Sequence, residues 1–205
     1  RLYSSASTDQ DERNTLTLTP YLRDNDMEFL QHFLPWQPIE KFEHSSAGLR
    51  ASLRTTCMNF NWTNGIDLEY TDGKLNEFQE EPERPERPAG VHYDYQVDAV
   101  TAAAYSQLRS EWRSPWEISA GVRLEYTEYD YDNRTEDGAP CEPGVTGCRF
   151  YRPADREDDF DNWSLNGGAS YAYLDDHLAY LRLARGFRAP QATELYRLQS
   201  GQETA

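Results

Sequence analysis

The sequence lacks the long apolar runs of a helical membrane protein. No stretch of about 18 consecutive apolar residues occurs, and only 38 per cent of the 205 residues are hydrophobic. Basic residues are scarce as well: 20 Lys and Arg stand against 36 Asp and Glu, which gives a net charge of −16. That charge argues against nucleic acid as a partner. It indicates a soluble or salt-adapted surface, or attraction of cations at a pore mouth.

Aromatic residues, in contrast, are plentiful for so polar a chain. They make up 13 per cent of it, with 14 Tyr and 5 Trp. A compact soluble core rarely combines so few apolar residues with so many rings. A β-sheet with one apolar face, one polar face and aromatic girdles does combine them, as in a membrane barrel.

Residue patterns for catalysis are missing. His32, His44, His92 and His177 are scattered, with no His-Glu-x-x-His motif and no paired spacing for a catalytic metal. The carboxylates of 155–161 lack the order of a calcium-binding loop, so we interpret them as a solvated loop. The sequence therefore predicts neither an enzyme nor a resident metal or cofactor.

Only three cysteines occur, and two of them enclose turn-forming residues. Cys141 and Cys148 bracket Glu-Pro-Gly-Val-Thr-Gly, and a disulfide that closes this small loop would imply an oxidising compartment. Zinc is the weaker alternative, because only two ligands are local and no His stands near them. Cys57 is left over and is expected to be unpaired.

Alternation of apolar and polar residues predicts seven β-strands and an all-β fold. The clearest strand is 59–71, in which Trp62, Ile66, Leu68 and Tyr70 share one face. Six further segments alternate in the same way: 15–30, 45–55, 93–112, 116–131, 163–173 and 178–183. The predicted fold is an antiparallel up-and-down meander.

The connections between these strands alternate in length. Three are long (31–41, 72–92 and 132–159) and three are short (56–58, 113–115 and 174–177). Long external loops on one rim and tight turns on the other are typical of a transmembrane β-barrel. Seven is an odd number of strands, so we expect part of a larger barrel. An antiparallel sandwich with polar outer faces is the alternative, because alternation alone fits both.

Two local features accompany this pattern. Trp112 and Trp116 flank a predicted tight turn, where an aromatic belt at a membrane surface would lie. The alternation slips at Glu128, after which Tyr129 and Tyr131 change faces. We expect a β-bulge at Glu128 for that reason.

The last predicted strand runs into a short motif. The motif consists of Gly186, Phe187, Arg188, Ala189 and Pro190, with Glu194, Leu195 and Tyr196 soon after. Gly186 would free the backbone and Pro190 would restrict Ala189, so the strand is expected to end in a pinned corner at the external rim. The string GFRAPQATELY resembles a signature in the barrel of TonB-dependent outer-membrane receptors, which import ferric siderophores, haem, cobalamin and similar cargo.

The resemblance implies a partial receptor barrel over residues 1–205, of the ferric siderophore type, in the outer membrane of a Gram-negative bacterium. Its partners would be a ferric siderophore or similar small ligand, outer-membrane lipid, and TonB. We expect a middle portion of such a receptor, without its plug domain, through which TonB would act. A soluble carbohydrate-binding-like module and a porin or adhesin barrel are the alternatives.

Cargo in this family is held by external loops, upper-barrel aromatic residues and basic residues, without covalent chemistry. In this sequence the resemblance therefore implicates a set of rim residues: His92, Tyr93, Tyr95, Tyr129, Tyr131, Arg149, Phe150, Tyr151, Arg152, Arg188 and Tyr196. Arginine would bind an anionic chelate through charge-assisted hydrogen bonds, and tyrosine would stack on it. Each has a structural alternative, since a rim tyrosine can belong to a girdle and Arg188 can brace the corner.

Overall fold

The computed structural model describes residues 2–11, 13–35, 37–110, 115–174, 177–199 and 201–202, except for the side chain of Leu174. The elements of this part of the chain are β1 (Leu2–Tyr3), β2 (Ala6–Asp9), β3 (Asn14–Leu30), β4 (Ile39–Cys57), β5 (Phe60–Gln79), β6 (Gly90–Ser110), β7 (Trp116–Asn133), β8 (Phe150–Tyr151), β9 (Arg156–Leu174), β10 (His177–Arg185), α1 (Ala192–Tyr196) and β11 (Leu198–Gln199). The predicted all-β fold is confirmed, and all seven predicted strands are present. No helix among the described residues is long and apolar enough to cross a membrane.

The seven long strands form one antiparallel sheet in which each strand pairs with its neighbour in sequence. The order is β3-β4-β5-β6-β7-β9-β10, and the short strands β1 and β2 both pair along the free side of β3. Strands β8 and β11 form a separate antiparallel pair. The predicted meander is therefore confirmed, and β3 and β10 do not pair with each other in the described residues.

Most strands are longer than the alternation predicted, so the long connections are shorter. The predicted loops 31–41, 72–92 and 132–159 reduce to the residues between Leu30 and Ile39, between Gln79 and Gly90, and between Asn133 and Arg156. The carboxylates of 156–161, interpreted as part of a loop, belong to β9 instead. The strands are longer because backbone hydrogen bonds continue through polar residues. In those residues the sequence shows no alternation of apolar and polar side chains.

The short connections are only partly described. The connection predicted at 56–58 is a two-residue turn, Met58 and Asn59, between β4 and β5. The predicted turns at 113–115 and 174–177 lie partly outside the described residues, and Trp112 lies wholly outside them. Trp116, its predicted partner in the belt, is 46 per cent exposed at the start of β7.

The two faces of the sheet differ in their middle rows, and we name them accordingly. On the band face, a row of apolar side chains crosses six neighbouring strands: Leu18, Ala51, Ile66, Ala104, Leu124 and Trp163. This row is uncovered, and Leu124 remains 58 per cent exposed. On the network face, Arg23 donates to Glu69 at 2.9 Å and Arg123 donates to Asp67 at 2.6 Å. A large apolar patch on one face and a polar network on the other indicate that the two faces of the sheet meet different surroundings.

Two glycines leave room for tyrosine rings on the network face. The ring of Tyr21 lies across Gly48, and the ring of Tyr105 lies across Gly65 on the neighbouring strand. A Cβ atom at Gly48 or Gly65 would lie 2.3 or 2.4 Å from the ring, which is too close. Without that obstacle the Tyr21 hydroxyl reaches past Gly48 and donates to Glu69.

Both faces change character toward the end of the sheet that carries the long connections, which we call the long-loop end. On the band face, four carboxylates there lie opposite one another on adjacent strands: Asp72, Asp98, Asp130 and Glu157. On the network face, the polar network gives way to aromatic side chains such as Tyr95 and Tyr131. The apolar surface therefore passes from one face to the other along the strands.

This exchange explains the apparent slip at Glu128. Glu128 pairs with Val100 and with Asp159 in uninterrupted ladders, so the bulge predicted there is wrong. Register shifts occur instead at Glu77/Phe78, in the pairing of β5 with β6, and at His177/Leu178. Tyr129 and Tyr131 keep the regular alternation, and it is the apolar character that changes faces.

Candidate ligand site

A cluster of buried side chains, which we call the aromatic cluster, lies on the network face at the long-loop end. It contains Leu75, Tyr93, Tyr95, Val97, Tyr131, Phe150, Leu195 and Tyr196. The rings of Tyr131 and Tyr196 stack with their centroids 4.2 Å apart. The His92 ring stacks on Phe150 at 3.7 Å. Strands β5, β6 and β7 supply five members, because their alternate residues project to this face.

Residues 186–199, which we call the crossing segment, supply Leu195 and Tyr196. They leave the sheet after β10 and lie against the network face. Tyr129 and Tyr93 donate hydrogen bonds to backbone carbonyls of the segment, at 3.0 and 2.6 Å. The segment ends in β11, which pairs with β8. The motif predicted as a corner is therefore a strap packed on the aromatic cluster.

Within the crossing segment Arg188 has a structural partner. Its guanidinium donates to both carboxylate oxygens of Glu194, at 3.0 and 2.7 Å. Glu194 also accepts the backbone N–H of Gln191 at 2.8 Å, at the start of α1. The hydrogen bonds from Arg188 and from the Gln191 backbone lower the pKa of Glu194. Arg188 thus braces the turn that leads into α1.

Gly186 does not act as predicted. Its φ lies outside the left-handed region that favours glycine, and an added Cβ would meet no atom within 4 Å. The chain therefore leaves the sheet without a conformation that only glycine adopts.

Three charged side chains and a histidine meet beneath the crossing segment, and we call them the charged cluster: Glu40, Glu77, Arg197 and His92. Glu40 and Glu77 lie directly opposite on β4 and β5, 6 and 1 per cent exposed. Arg197 donates to Glu40 at 2.8 Å and also to Glu77, whose other oxygen lies 3.0 Å from Nδ1 of His92. Burial disfavours the charge of Arg197, but Glu77 and Glu40 outweigh it and raise its pKa.

A cavity of about 200 Å³ opens beside the charged cluster. Its walls are Gln31, Leu34, Glu77, Tyr93, Arg149, Phe150, Arg197 and Gln199. Two guanidinium groups and two aromatic rings suit a small ligand with anionic and planar parts. A wider hollow of about 700 Å³ lies on the other side of the sheet, among Leu108, Val122 and Leu165. That hollow belongs to the uncovered apolar surface, so the smaller cavity is the candidate ligand site.

The connection that contributes Arg149 and Phe150 is cross-linked. A disulfide joins Cys141 to Cys148, with their Cα atoms 6.0 Å apart. Cys57 is free and exposed. The disulfide shortens the part of the connection that can move independently of the cavity wall.

The sequence and the fold agree with one protein family. A family model described as TonB dependent receptor-like, beta-barrel matches residues 1–204. The chain belongs to this family. It is a family of outer-membrane receptors and transporters of Gram-negative bacteria, not of enzymes.

A solved structure resembles this chain in fold. The crystal structure of the ferric-catecholate import receptor Fiu from E. coli K12, in its open form, matches with a TM-score of 0.56 and 15 per cent identity. The match covers 89 per cent of this chain and 34 per cent of the Fiu chain, so the chain spans about a third of that receptor. A search of curated protein sequences finds no match.

The sheet gathers the predicted ligand contacts at one end of its network face, but few reach the cavity. Tyr93, Arg149 and Phe150 line it. His92 and Tyr95 are 0 and 3 per cent exposed and pack behind its wall. Tyr151 pairs with Leu198 in the β8–β11 ladder.

Arg152 also supports the wall without facing the cavity. Its Nε donates to the backbone carbonyl of His92 at 2.8 Å, and burial lowers its pKa. Tyr196 is fully buried and donates to Asp158 at 2.9 Å. These residues hold the site together, and their contacts are internal.

Sequence reasoning missed Glu40, Glu77 and Arg197. Each glutamate is one charged residue among many in an acidic chain. Their significance appears only once the register places them side by side, because like charges directly opposite need a counter-charge. That counter-charge comes from Arg197, which lies 120 positions after Glu77 in the chain. No local sequence pattern indicates a contact over such a separation.

Proposed function

We propose that the chain forms part of an outer-membrane receptor that takes up a ferric siderophore or a related iron chelate in a TonB-dependent way. The cavity at the long-loop end is the observation that carries this proposal. Arg149 gives it a guanidinium, the charge of Arg197 is taken up by Glu40 and Glu77, and Tyr93 and Phe150 give it flat apolar surface. Anionic chelates with aromatic arms match both properties. The printed description of Fiu, a ferric-catecholate import receptor, supports the same class of cargo.

The two faces support a place in the outer membrane. The exposed apolar row of the band face suits contact with lipid, and the hydrogen-bonded network suits the interior of a barrel. A soluble binding module would leave side chains such as Leu68 and Leu124, 46 and 58 per cent exposed, in water. The crossing segment argues against a simple porin, because it lies over the network face instead of leaving a lumen open.

TonB would act on this receptor through a plug domain, as the family implies. The polar side chains of the network face, such as Arg23 and Arg123, offer hydrogen bonds to a domain inside the barrel. Deletion of TonB in the host is then expected to abolish uptake while leaving binding of the cargo at the cell surface unchanged. Uptake at an undiminished rate without TonB would contradict this proposal.

The cargo class is tested with radioactive iron. Cells that produce the full-length protein carrying this sequence are expected to bind and import a ferric catecholate, with haem and cobalamin as competitors. The Arg149→Ala variant is expected to bind the chelate about 10- to 100-fold more weakly, because a charge-assisted hydrogen bond contributes roughly 1.5–3 kcal/mol. Arg84→Ala is the matched control, since that side chain is 69 per cent exposed in the connection between β5 and β6. Uptake of haem or cobalamin, without binding of the ferric catecholate, would overturn the siderophore assignment.

A further inference from the structure

The wider hollow on the band face has a floor of small residues. Ala120 on β7 and Gly167 on β9 are direct neighbours in the sheet. The same row continues to Leu108 on β6 and to Leu183 on β10, so two small residues lie between two long ones. The resulting trough has a volume of about 700 Å³, and its walls are mainly apolar. A trough of this kind suits an acyl chain, because both surfaces leave water when they meet.

Arg185, at the end of β10, borders this trough. Its guanidinium carbon lies 3.5 Å from the centroid of the Trp163 ring, so the two groups stack. Stacking uses the flat face of a guanidinium and leaves the N–H groups at its edge able to bind an anion. The Trp163 side chain also borders a second hollow, of about 550 Å³, with Leu68 and Leu124 in its walls. The stacked pair therefore stands between two apolar hollows.

Arg185 lies at the polar edge of the apolar band. On β5 the apolar residues of the band face continue to Tyr70, whose row across the sheet reaches Asp159 on β9. On β9 they end at Trp163, four positions nearer to the short connections. The edge of the band thus descends from strand to strand, as expected when the strands of a barrel are tilted relative to the membrane. One strand further, on β10, the edge falls at about Arg185.

Beyond this edge the band face is acidic. Asp161 is the next residue after Trp163 on the same face of β9 toward the long-loop end, and it borders the second hollow. Glu128 and Asp159 lie opposite each other in the row that follows. These three carboxylates are exposed. The order of charges is therefore a cation at the apolar edge and anions farther from it.

We propose that this part of the band face binds one zwitterionic phospholipid, with its acyl chains in the two hollows, its phosphate at Arg185 and its ammonium group at Asp161. In phosphatidylethanolamine the phosphate is nearer to the acyl chains and the ammonium group is farther out, which matches the order of charges on the sheet. A guanidinium binds a phosphate through charge-assisted hydrogen bonds, and a primary ammonium group donates to a carboxylate.

The same charges disfavour other lipids. The quaternary ammonium group of phosphatidylcholine has no N–H to donate to Asp161. An anionic lipid, such as phosphatidylglycerol or lipid A, would bring further negative charge toward Asp161, Asp159 and Glu128. The inference rests on the proposed place of the chain in the outer membrane, but not on the identity of the cargo.

Native mass spectrometry of the full-length protein carrying this sequence tests the site. The protein, freed of lipid in detergent micelles, would be titrated with phosphatidylethanolamine, phosphatidylcholine and phosphatidylglycerol of the same acyl chains, and with lipid A. We expect one molecule of phosphatidylethanolamine to bind most tightly. Arg185→Gln should weaken this binding about tenfold, because a charge-assisted hydrogen bond is lost. Arg182→Gln is the matched control, since Arg182 is an exposed residue of the same strand that projects to the network face.

Two further variants separate the headgroup from the acyl chains. Asp161→Asn should remove the preference for phosphatidylethanolamine over phosphatidylcholine while leaving a bound phospholipid. Gly167→Leu should fill the trough and weaken binding of every phospholipid. An added Cβ at Gly167 would meet no atom closer than 3.9 Å, so the larger side chain fits without displacing the backbone.

Three outcomes would overturn the proposal: equal binding of all the lipids, tighter binding of lipid A, or an Arg185→Gln protein that binds phosphatidylethanolamine as the parent does. Folding into phospholipid vesicles is measured beside the titration. A protein that does not enter the vesicles would contradict its proposed place in the outer membrane. A protein that enters them but shows no preference for phosphatidylethanolamine would contradict this lipid site alone.

Discussion

On the band face, apolar side chains give way to a row of carboxylates toward the long-loop end, whereas on the network face a polar network gives way to the aromatic cluster. The same strands carry both changes, and strict alternation continues through them without a bulge at Glu128. The difference teaches that the apolar band and the aromatic cluster are two separate apolar surfaces, of which only the aromatic cluster is buried by this chain. The band is completed by surroundings outside the described chain. The aromatic cluster is completed by the chain itself, through the crossing segment.

The largest effect is expected from Arg197→Leu, which leaves Glu40 and Glu77 buried without their shared cation. Removing one partner from a buried ion pair costs about 4 kcal/mol, so the free energy of unfolding of the full-length protein should fall by that amount. Urea titration in detergent micelles would measure it. Arg84→Leu, at an exposed guanidinium 3.9 Å from Glu83, is the control and should change little. Equal effects of the two substitutions would mean that the charged cluster contributes no special stability.

Tyr131→Ala tests the aromatic cluster. Tyr131 is 1 per cent exposed and stacks on Tyr196, and removing so large a buried ring costs about 3 kcal/mol. Limited proteolysis within the crossing segment should become faster at the same time. Tyr180→Ala is the matched control, because Tyr180 on β10 is 79 per cent exposed. An unchanged cleavage rate in Tyr131→Ala would show that the segment is held without this contact.

The network face and the band face were predictable to different degrees. Alternation through Trp62, Ile66, Leu68 and Tyr70 identified strand β5 and its apolar face, because a sheet of period two buries or exposes every second residue. The same rule failed to predict how the apolar surface changes from one face to the other along the strands. Tyr129 and Tyr131 looked like a slip in register, since the sequence does not tell on which face an apolar surface will be covered.

The candidate site was predictable in kind but not in its residues. Aromatic and basic side chains near the long loops pointed to the end of the sheet that carries the candidate site, and Tyr93, Arg149 and Phe150 line its cavity. Arg197 was missed, because its contacts with β4 and β5 depend on how the crossing segment folds back. Arg188 was weighed as a brace of its own turn or a contact for cargo, and only its geometry with Glu194 shows the brace.

The band face should respond to charge where the network face does not. Leu124→Lys places an ammonium group in the apolar row and should cost about 2 kcal/mol when the full-length protein folds into phospholipid vesicles. Gln107→Lys is the control, since Gln107 is an exposed residue on the network face of β6. If the two lysines have the same effect, the band face does not contact lipid.

The smallest effect is expected from Arg188→Ala. Arg188 and Glu194 are exposed, so cargo affinity and overall stability should stay close to those of the parent protein. The pair does confer a pH dependence. Because the pKa of Glu194 is lowered, its contribution is present above the ordinary carboxylate range and is lost as pH falls through the lowered pKa. Hydrogen exchange at the amides of α1 should therefore lose this acid sensitivity in Arg188→Ala. A large loss of cargo affinity instead would make Arg188 a ligand contact.

The crossing segment also has a consequence for the order of assembly. Each hairpin of the meander joins neighbours in sequence and can form as soon as its two strands are present. The hydrogen bond from Tyr93 to the Leu198 carbonyl spans 105 residues, and that from Arg197 to Glu77 spans 120. Contacts so distant in sequence carry a large loop-closure entropy and form slowly. We therefore expect the strands to align first and the candidate cavity to acquire its last wall when residues 186–199 settle on the sheet.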